Sequence, residues 1–261
     1  MLSIKRALMG RIFKNIRGLL RTEKIVLESR GICPICEQLV CFQSTCSWLR
    51  DNFVCSNCHS IPRERALMHV IKMYYPNYRD LVIHESSPCH RGTSPKLKAD
   101  CLGYSASQYF PDVPRGVVNA AYGWQCEDLE KMTFADASID LFITQDVMEH
   151  IFDPTKAFRE IARVLKPGGA HIFTVPLINK EKTSECWASR DSNGDVIYHR
   201  EAEYHGNPVD ASGSLVTMHW GYDLAEFIIQ KTRMPTTIVV IDNLDIGIRA
   251  EYIEVMVSRK Y

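Results

Sequence analysis

The spacing of apolar positions changes along the chain, from a helical period near its start to short runs beyond Asn77. Leu8, Ile12 and Ile16 recur every four residues, which predicts an amphipathic helix over 3–21. The later runs, which turns and helical segments separate, are 81–85, 101–105, 117–118, 141–144, 171–175, 238–241 and 252–257. Strands that alternate with helices predict an α/β fold with a mostly parallel sheet. Only a loop separates the last two runs, which predicts an antiparallel strand at one edge.

Two further helices have clear start signals. Pro62 stands where a first helical turn accepts proline, and a helical period follows to about residue 75. The helix over 153–165 is expected to begin with Asp153 as its N-cap and Pro154 as its first residue. The run Lys-Pro-Gly-Gly at 166–169 predicts its end.

Composition and charge narrow the class of protein. The chain has 261 residues, 46% of them hydrophobic, and its 31 Lys and Arg balance 31 Asp and Glu. Such a balance argues against a general polyanion binder and against nucleic acid as a partner. No apolar run reaches the roughly 18 residues of a membrane span, and no secretory signal is visible, so we expect a cytoplasmic protein.

The first 30 residues carry an excess of basic side chains, eight against two acidic ones. The basic face of the helix over 3–21 could make peripheral contact with an anionic membrane surface. The same helix could instead dock on its own domain, because basic residues are ordinary on the wet face of a helix.

Six of the ten cysteines fall within 33–58, and four of them form two Cys-x-x-Cys pairs separated by 18 residues. This spacing predicts a zinc-ribbon-like segment in which Cys33, Cys36, Cys55 and Cys58 hold a structural zinc ion. Four sulfur ligands would leave no open position on the metal. A thioredoxin-type redox pair and plain core cysteines are the alternatives. The neighbouring residues that could replace a ligand are Cys41, Cys46 and His59.

A ribbon of this kind can also bind nucleic acid, with Trp48 for stacking and arginines for phosphate contacts. The arginines in question are Arg50, Arg63 and Arg65. Arg63 and Arg65 fit a solvated helix start or acidic neighbours better than they fit phosphates, so this interpretation stays the weaker one.

The most specific motifs lie between residues 126 and 176. They are Cys-Glu-Asp-Leu-Glu at 126–130, Phe-x-Asp-x-Ser-x-Asp at 134–140, Gln-Asp-Val-Met-Glu-His at 145–150 and Arg-Val-Leu-Lys-Pro-Gly-Gly at 163–169. Together they resemble the Rossmann-like, class I S-adenosylmethionine-dependent methyltransferases of the methyltransferase type 11 kind. The cysteine segment followed by Pro-Arg-Glu-Arg at 62–65 is similar to a bacterial subgroup of these enzymes.

The resemblance implies S-adenosylmethionine as cofactor and assigns it a site. By that likeness Asp128 accepts a hydrogen bond from the adenine amino group, and Leu129 packs on the ring. Gln145, Asp146 and Val147 would end the fourth parallel strand, where ligands of such sheets bind. A strand end with a helix cap would explain the same three residues without a cofactor.

The chain departs from the family at the turn after its first parallel strand. Family members have a glycine-rich turn there, whereas this chain has His84, Glu85, Ser86 and Ser87. The small Ser86 and Ser87 could admit the cofactor and donate hydroxyls, and His84 or Glu85 could hold its charged end.

A long polar insertion at 177–222 contains several histidines and aromatic residues. Long loops in compact domains tend to be functional, so we predict that it is the lid over the methyl acceptor. His205, His219 and the His150 that follows Glu149 are the candidate catalytic bases. A surface loop whose histidines cap turns, and an architectural Glu149-His150 pair, are the plainer interpretations.

These features divide the chain into a basic helix (1–30), a zinc-ribbon-like segment with four paired cysteines (31–61) and a methyltransferase domain (62–261). The predicted function is S-adenosylmethionine-dependent methylation of a small-molecule or saccharide-type acceptor. A catalytically degenerate zinc-binding scaffold and a nucleic-acid methyltransferase are the alternatives. The sequence leaves the oligomeric state open.

Overall fold

The computed structural model describes residues 24–207 and 209–261, so the predicted helix over 3–21 lies outside the described residues. Within those ranges, no helix is both long enough and apolar enough to cross a bilayer.

The described part of the chain contains sixteen strands and five α-helices. The strands are β1 (Leu27–Ile32), β2 (Leu39–Ser44), β3 (Val54–Cys55), β4 (Ile83–Ser86), β5 (Tyr104–Gln108), β6 (Gln125–Cys126), β7 (Ile139–Gln145), β8 (Leu165–Thr174), β9 (Glu185–Cys186), β10 (Ala188–Arg190), β11 (Val196–Tyr198), β12 (Tyr204–His205), β13 (Ser214–Leu215), β14 (Met218–His219), β15 (Thr236–Val239) and β16 (Val255–Arg259). The helices are α1 (Leu49–Asn52), α2 (Pro62–Tyr74), α3 (Thr93–Asp100), α4 (Pro154–Val164) and α5 (Leu224–Thr232).

Seven strands form the central sheet in the order β15-β16-β8-β7-β4-β5-β6. The five strands from β8 to β6 are parallel, whereas β16 runs antiparallel to both β8 and β15. The predicted α/β class, with a mostly parallel sheet and an antiparallel strand near one edge, is confirmed. The chain leaves β4 towards β5 on one side and reaches β7 on the other, so the strand order reverses at β4.

Burial explains why these segments form strands and why α4 covers them. Six of the seven residues of β7 are buried, as expected for a parallel strand with covered faces. Helix α4 packs Phe158 and Ile161 into a core that includes Phe173 of β8. The Asp153 carboxylate accepts a hydrogen bond from the backbone amide of Lys156 at 3.0 Å, which confirms the predicted N-cap.

Two local expectations differ from the structure. Residues 117–118 form no strand, because Val117 and Val118 are about half exposed and only Val118 makes an isolated bridge, to Gln125. The third parallel strand instead lies at Gln125–Cys126. Helix α4 ends at Val164 and β8 begins at the next residue, so 166–169 lie inside the strand, where Gly168 has a φ of 82°.

The cysteine segment forms a small antiparallel sheet, β1-β2-β3, that packs on the same core as the central sheet. Arg65 of α2 connects this small sheet to the rest of the domain. Its guanidinium is fully buried, donates to the backbone carbonyls of Ser60, Phe53 and Gly247, and lies 4.7 Å from the centre of the Phe42 ring. Arg65 therefore does not lie on a solvated helix start, as the sequence suggested, but ties the segment to the domain.

Candidate active site

A cavity of about 710 Å³ opens at the carboxyl edge of strands β4, β5, β6 and β7. This is the edge, beside the reversal of strand order, where ligands of parallel α/β sheets bind. Nine of the residues that the sequence singled out line it: Ser86, Ser87, Asp128, Leu129, Gln145, Asp146, Val147, His150 and His205. The structure thus brings together residues that span more than 100 positions of sequence.

His84 and Glu85 do not line the cavity, because they lie within β4 and are fully buried. The ring of His84 hydrogen-bonds the hydroxyls of Ser105 and Ser107, and burial lowers its pKa to about 3. Glu85 accepts hydrogen bonds from the Tyr104 hydroxyl and from the amide of Gln145, at 2.6 and 2.7 Å. Glu85 therefore supports a residue of the cavity wall rather than forming the wall.

The turn after β4 contains no glycine, but its backbone includes a left-handed conformation of the kind that glycine favours. Ser87 has a φ of 59°, in the left-handed region that glycine adopts most easily. Asp146, at the end of β7, has a φ of 52°. Residues held in this region cluster at ligand sites, where the surrounding structure fixes them. The small Ser86 and Ser87 side chains leave the cavity open beside them.

Asp146 receives two arginines from the N-terminal part of the chain. The Arg50 and Arg63 guanidinium groups lie 2.6 and 2.9 Å from its carboxylate, and all three side chains are at most 15% exposed. Burial by itself raises the pKa of Asp146, but the charges of Arg63 and Arg50 outweigh it and lower that pKa to about 2. The sequence suggested Arg50 as a phosphate contact, and it favoured a solvated helix start or acidic neighbours for Arg63. The structure gives Arg63 an acidic neighbour, although no periodic pattern links either arginine to residue 146.

Two cavity-lining polar groups are buried without a hydrogen-bond partner within 24–207 and 209–261. They are the Gln108 Oε1 acceptor at the end of β5 and the Arg63 Nε–H donor. Buried polar atoms are nearly always paired, so such atoms in a cavity wall indicate a polar ligand. A ribose hydroxyl suits the Gln108 oxygen, and a carboxylate suits the Arg63 donor.

The three histidines predicted as bases gather at one side of the cavity, around two glutamates. The rings of His150 and His205 are 5.1 Å apart, centre to centre. Glu203 accepts hydrogen bonds from Nε2 of His205 and Nε2 of His219, at 3.1 and 3.0 Å. His219 does not line the cavity, and its ring stacks on Trp187. Glu203 was not predicted as a site residue, because no spacing signal in the sequence marks it.

Glu149 is the second glutamate, and it is 1% exposed. Neither of its carboxylate oxygens has a hydrogen-bond partner in the described part of the chain. Burial, together with the charge of Asp146, raises its pKa well above the usual value. Burial also lowers the pKa of His150 to about 4, which keeps that ring neutral at pH 7.

The four paired cysteines converge at a second place, in the small sheet. All four Sγ atoms lie within 4.8 Å of one another, with Cys33–Cys58 at 3.7 Å and Cys36–Cys55 at 3.9 Å. Sulfurs bound to zinc at about 2.3 Å in a tetrahedron are about 3.8 Å apart, so this donor set fits the ion. Cys41 and Cys46 lie outside the group, and their thiols face backbone carbonyls.

Comparison with known proteins places the central segment in a family. Residues 93–173 match the family described as "Methyltransferase domain". A dimethylglycine N-methyltransferase from Parasynechococcus marenigrum is 46% identical over 48 residues, which are 18% of this chain and 17% of that protein. The biotin biosynthesis bifunctional protein BioHC from Cellvibrio japonicus is 30% identical over 95 residues, 36% of this chain and 19% of that protein. The matched segments thus span less than a fifth of either relative.

Solved structures with a similar shape include two methyltransferases. A 1,6-didemethyltoxoflavin-N1-methyltransferase from Burkholderia thailandensis, with S-adenosylhomocysteine bound, superposes with a TM-score of 0.47 at 12% identity, over 76% of this chain and 78% of that one. An S-adenosylmethionine-dependent methyltransferase from Mesorhizobium loti superposes with a TM-score of 0.45 at 14% identity, over 74% of this chain and 96% of that one. The family match over 93–173 confirms the resemblance found in the sequence for this segment, which belongs to the methyltransferase domain family.

Proposed function

We propose that this chain transfers a methyl group from S-adenosylmethionine to a small-molecule acceptor, of saccharide or related type. The observation that supports this most is the cavity at the carboxyl edge of the sheet, with its unpartnered Gln108 acceptor and Arg63 donor. Its volume of about 710 Å³ is within the usual range of small-molecule sites.

The sheet side of the cavity would hold the cofactor. Asp128 would accept from the adenine amino group, with Leu129 against the ring and Gln108 on the ribose. Arg63 would pair with the carboxylate of the methionine part, in place of the His84 or Glu85 first considered. The bound cofactor supplies a methyl group on a sulfonium, which an acceptor displaces in line, so orientation and exclusion of water do much of the catalysis.

The insertion at 177–222 would cover the acceptor. Arg190, His205 and Asn207 line the cavity from this insertion, and Arg190 lies over the Phe152 ring at 4.2 Å. An aromatic face beside polar donors and acceptors suits a hydroxylated ring. An acceptor hydroxyl would meet His150 and His205, which line the cavity with Glu149 buried behind them, and its proton or its developing charge can be taken up there.

The cysteine segment would hold a structural zinc ion through Cys33, Cys36, Cys55 and Cys58. With four sulfur ligands, such an ion serves folding rather than chemistry. The segment also carries Trp48 and Arg50, which line the cavity. Zinc would therefore contribute indirectly to the shape of the binding site.

Isothermal titration calorimetry with S-adenosylhomocysteine tests the cofactor half of the proposal. We expect binding by the wild-type protein and a loss of about tenfold or more in Asp128→Ala, since hydrogen bonds to charged groups contribute about 1.5–3 kcal/mol. The matched control is Asp112→Ala, whose side chain is exposed and lies outside the cavity. A wild-type protein that binds neither the donor nor its product would contradict the proposal and favour the scaffold alternative.

An acceptor screen with a radiolabelled methyl donor tests the other half. We expect label in sugars or related metabolites and none in DNA or RNA. Transfer to nucleic acid alone would contradict the proposed acceptor class while leaving the cofactor site intact.

A further inference from the structure

We infer that Glu149, His150 and His205 form a binding site for one divalent transition-metal ion in the wall of the cavity. Each offers one donor atom, and the three donor atoms lie within 4.8 Å of one another. The site is separate from the group of four cysteines and uses different donors.

The hydrogen bonds around the two histidines direct their free lone pairs to one point. Nδ1–H of His150 donates to the backbone carbonyl of Leu215 at 2.9 Å, which leaves Nε2 as the unprotonated nitrogen. Nε2–H of His205 donates to Glu203 at 3.1 Å, which leaves Nδ1 free. Both free nitrogens lie 3.8 Å from Oε1 of Glu149. Metal-binding histidines have this kind of outer partner, which fixes the tautomer and the ring orientation.

A single cation would satisfy the three donor atoms of the cluster together. Three acceptors face one another, and no donor within the described ranges hydrogen-bonds either oxygen of Glu149. The 3.8 Å separations are too long for hydrogen bonds, so a shared proton would not bridge them. Donors about 2.1 Å from an ion lie about 3.0–3.5 Å apart, so the two 3.8 Å separations would shorten by about 0.3–0.8 Å on binding.

The donor set selects the class of metal. Two imidazoles and one carboxylate suit Mn²⁺, Fe²⁺, Co²⁺ or Zn²⁺, whereas Mg²⁺ and Ca²⁺ prefer oxygen ligands alone. Three protein ligands leave coordination positions open, as in catalytic rather than structural sites. His150 and His205 line the cavity, so the open positions would face the acceptor. Under the proposed function, the ion would bind an acceptor oxygen and stabilise the negative charge that develops there.

Glu203 and His219 act from outside as positioning residues. Glu203 holds His205 through one oxygen and His219 through the other. His219 in turn stacks on Trp187, with ring centres 3.7 Å apart. This chain of contacts would keep the His205 ring in a ligating orientation.

Electron paramagnetic resonance of Mn²⁺ tests the inference on the full chain, purified with its zinc and without S-adenosylmethionine. The signal of free Mn²⁺ should fall as one equivalent binds per chain. Loss of a residue that only holds a metal ligand in place lowers metal affinity by ~10–100-fold, so Glu203→Gln should lose that much affinity for Mn²⁺. Glu149→Gln and His205→Ala each remove a ligand, so their affinity for Mn²⁺ should fall further. His199→Ala is the matched control, because His199 lies in the same insertion and, among residues 24–207 and 209–261, its side chain hydrogen-bonds only Ser189.

Thermal unfolding separates ligation from a merely structural role. Without Mn²⁺, Glu149→Gln should unfold close to the wild type, because it replaces a buried carboxyl group that has no hydrogen-bond partner with a neutral amide of the same size. With Mn²⁺ the Tm of the wild type should rise and that of Glu149→Gln should not. Wild-type protein that binds no Mn²⁺, or a loss in His199→Ala as large as in His205→Ala, would overturn the site. Because the experiment contains no S-adenosylmethionine, either result leaves the cofactor proposal untouched.

Discussion

Replacing Asp146 by Asn tests whether the cysteine segment and the methyltransferase domain are joined by a buried ion cluster. Asn keeps the size of the side chain and tolerates the φ of 52° at this position. The change removes only the charge that pairs with Arg50 and Arg63. Arg63 would then remain largely buried without its paired carboxylate, and Arg50 would keep only Asp51, 3.9 Å away.

The expected cost is about 2–4 kcal/mol in the free energy of unfolding. Asp146 has a pKa of about 2 in the folded protein against an ordinary value of 3.8, and that difference alone corresponds to roughly 2 kcal/mol. Removing one partner of a buried pair costs about 3–5 kcal/mol when burial is complete, and these side chains are 12–15% exposed. Because the folded pKa is the lower one, the stabilisation is present in full above pH 4 and is lost as the pH falls towards 2.

Urea unfolding at pH 7, followed by circular dichroism of the zinc-loaded protein, measures this cost. The control is Asp136→Asn, whose carboxylate lies 2.6 Å from Arg163 but is 77% exposed. Exposed ion pairs contribute about 0.2–1 kcal/mol, so the control should change little. If Asp146→Asn costs no more than Asp136→Asn, the cluster does not join the two parts and the reasoning fails.

Two further predictions concern the cysteine segment and its contact with the domain. Made in the Glu149→Gln background, so that the cysteines are the zinc site under test, Cys36→Ser should lose its bound zinc and unfold the segment, because zinc binding of ~10 kcal/mol or more is coupled to folding in such sites. Cys41→Ser in the same background should keep one zinc by atomic absorption. Zinc retained in Cys36→Ser would contradict the four-cysteine site. Gly247→Ala should cost about 2–4 kcal/mol by urea unfolding, because it combines a φ of 66° with a Cβ 2.5 Å from the Phe42 ring. Gly194 has a φ of 91° and open space around it, so Gly194→Ala should cost only the free energy of the strained backbone. If Gly194→Ala and Gly247→Ala lose equal stability, the close contact of Gly247 with Phe42 is refuted.

Local patterns in the sequence were enough to predict the fold. The helix that begins at Pro154 carries its own start signal, and the motifs at 126–169 predict the order of strand, helix and strand that the structure has. The third parallel strand was misplaced, because Gln125–Cys126 has only two residues and no apolar run, whereas 117–118 looked apolar but lie exposed.

The site depends more on contacts between distant residues, and these leave no periodic signal. The pairing of Asp146 with Arg50 spans 96 positions, and a buried arginine cannot be told from an exposed one by spacing. The three histidines could be chosen because they lie in a polar insertion and after a recognisable motif. Glu149 was visible beside His150 in the motif, but the roles of Glu149 and Glu203 could not be predicted, since they follow from the contacts of the folded chain.

A crystal structure of the protein soaked with S-adenosylhomocysteine would test the central claim most directly. The account predicts the ligand at the carboxyl edge of β4–β7, with adenine beside Asp128 and Leu129, a ribose hydroxyl on Gln108 and the carboxylate on Arg63. An empty cavity at saturating ligand, or a ligand bound elsewhere with Gln108 Oε1 and Arg63 Nε still without a partner, would contradict it.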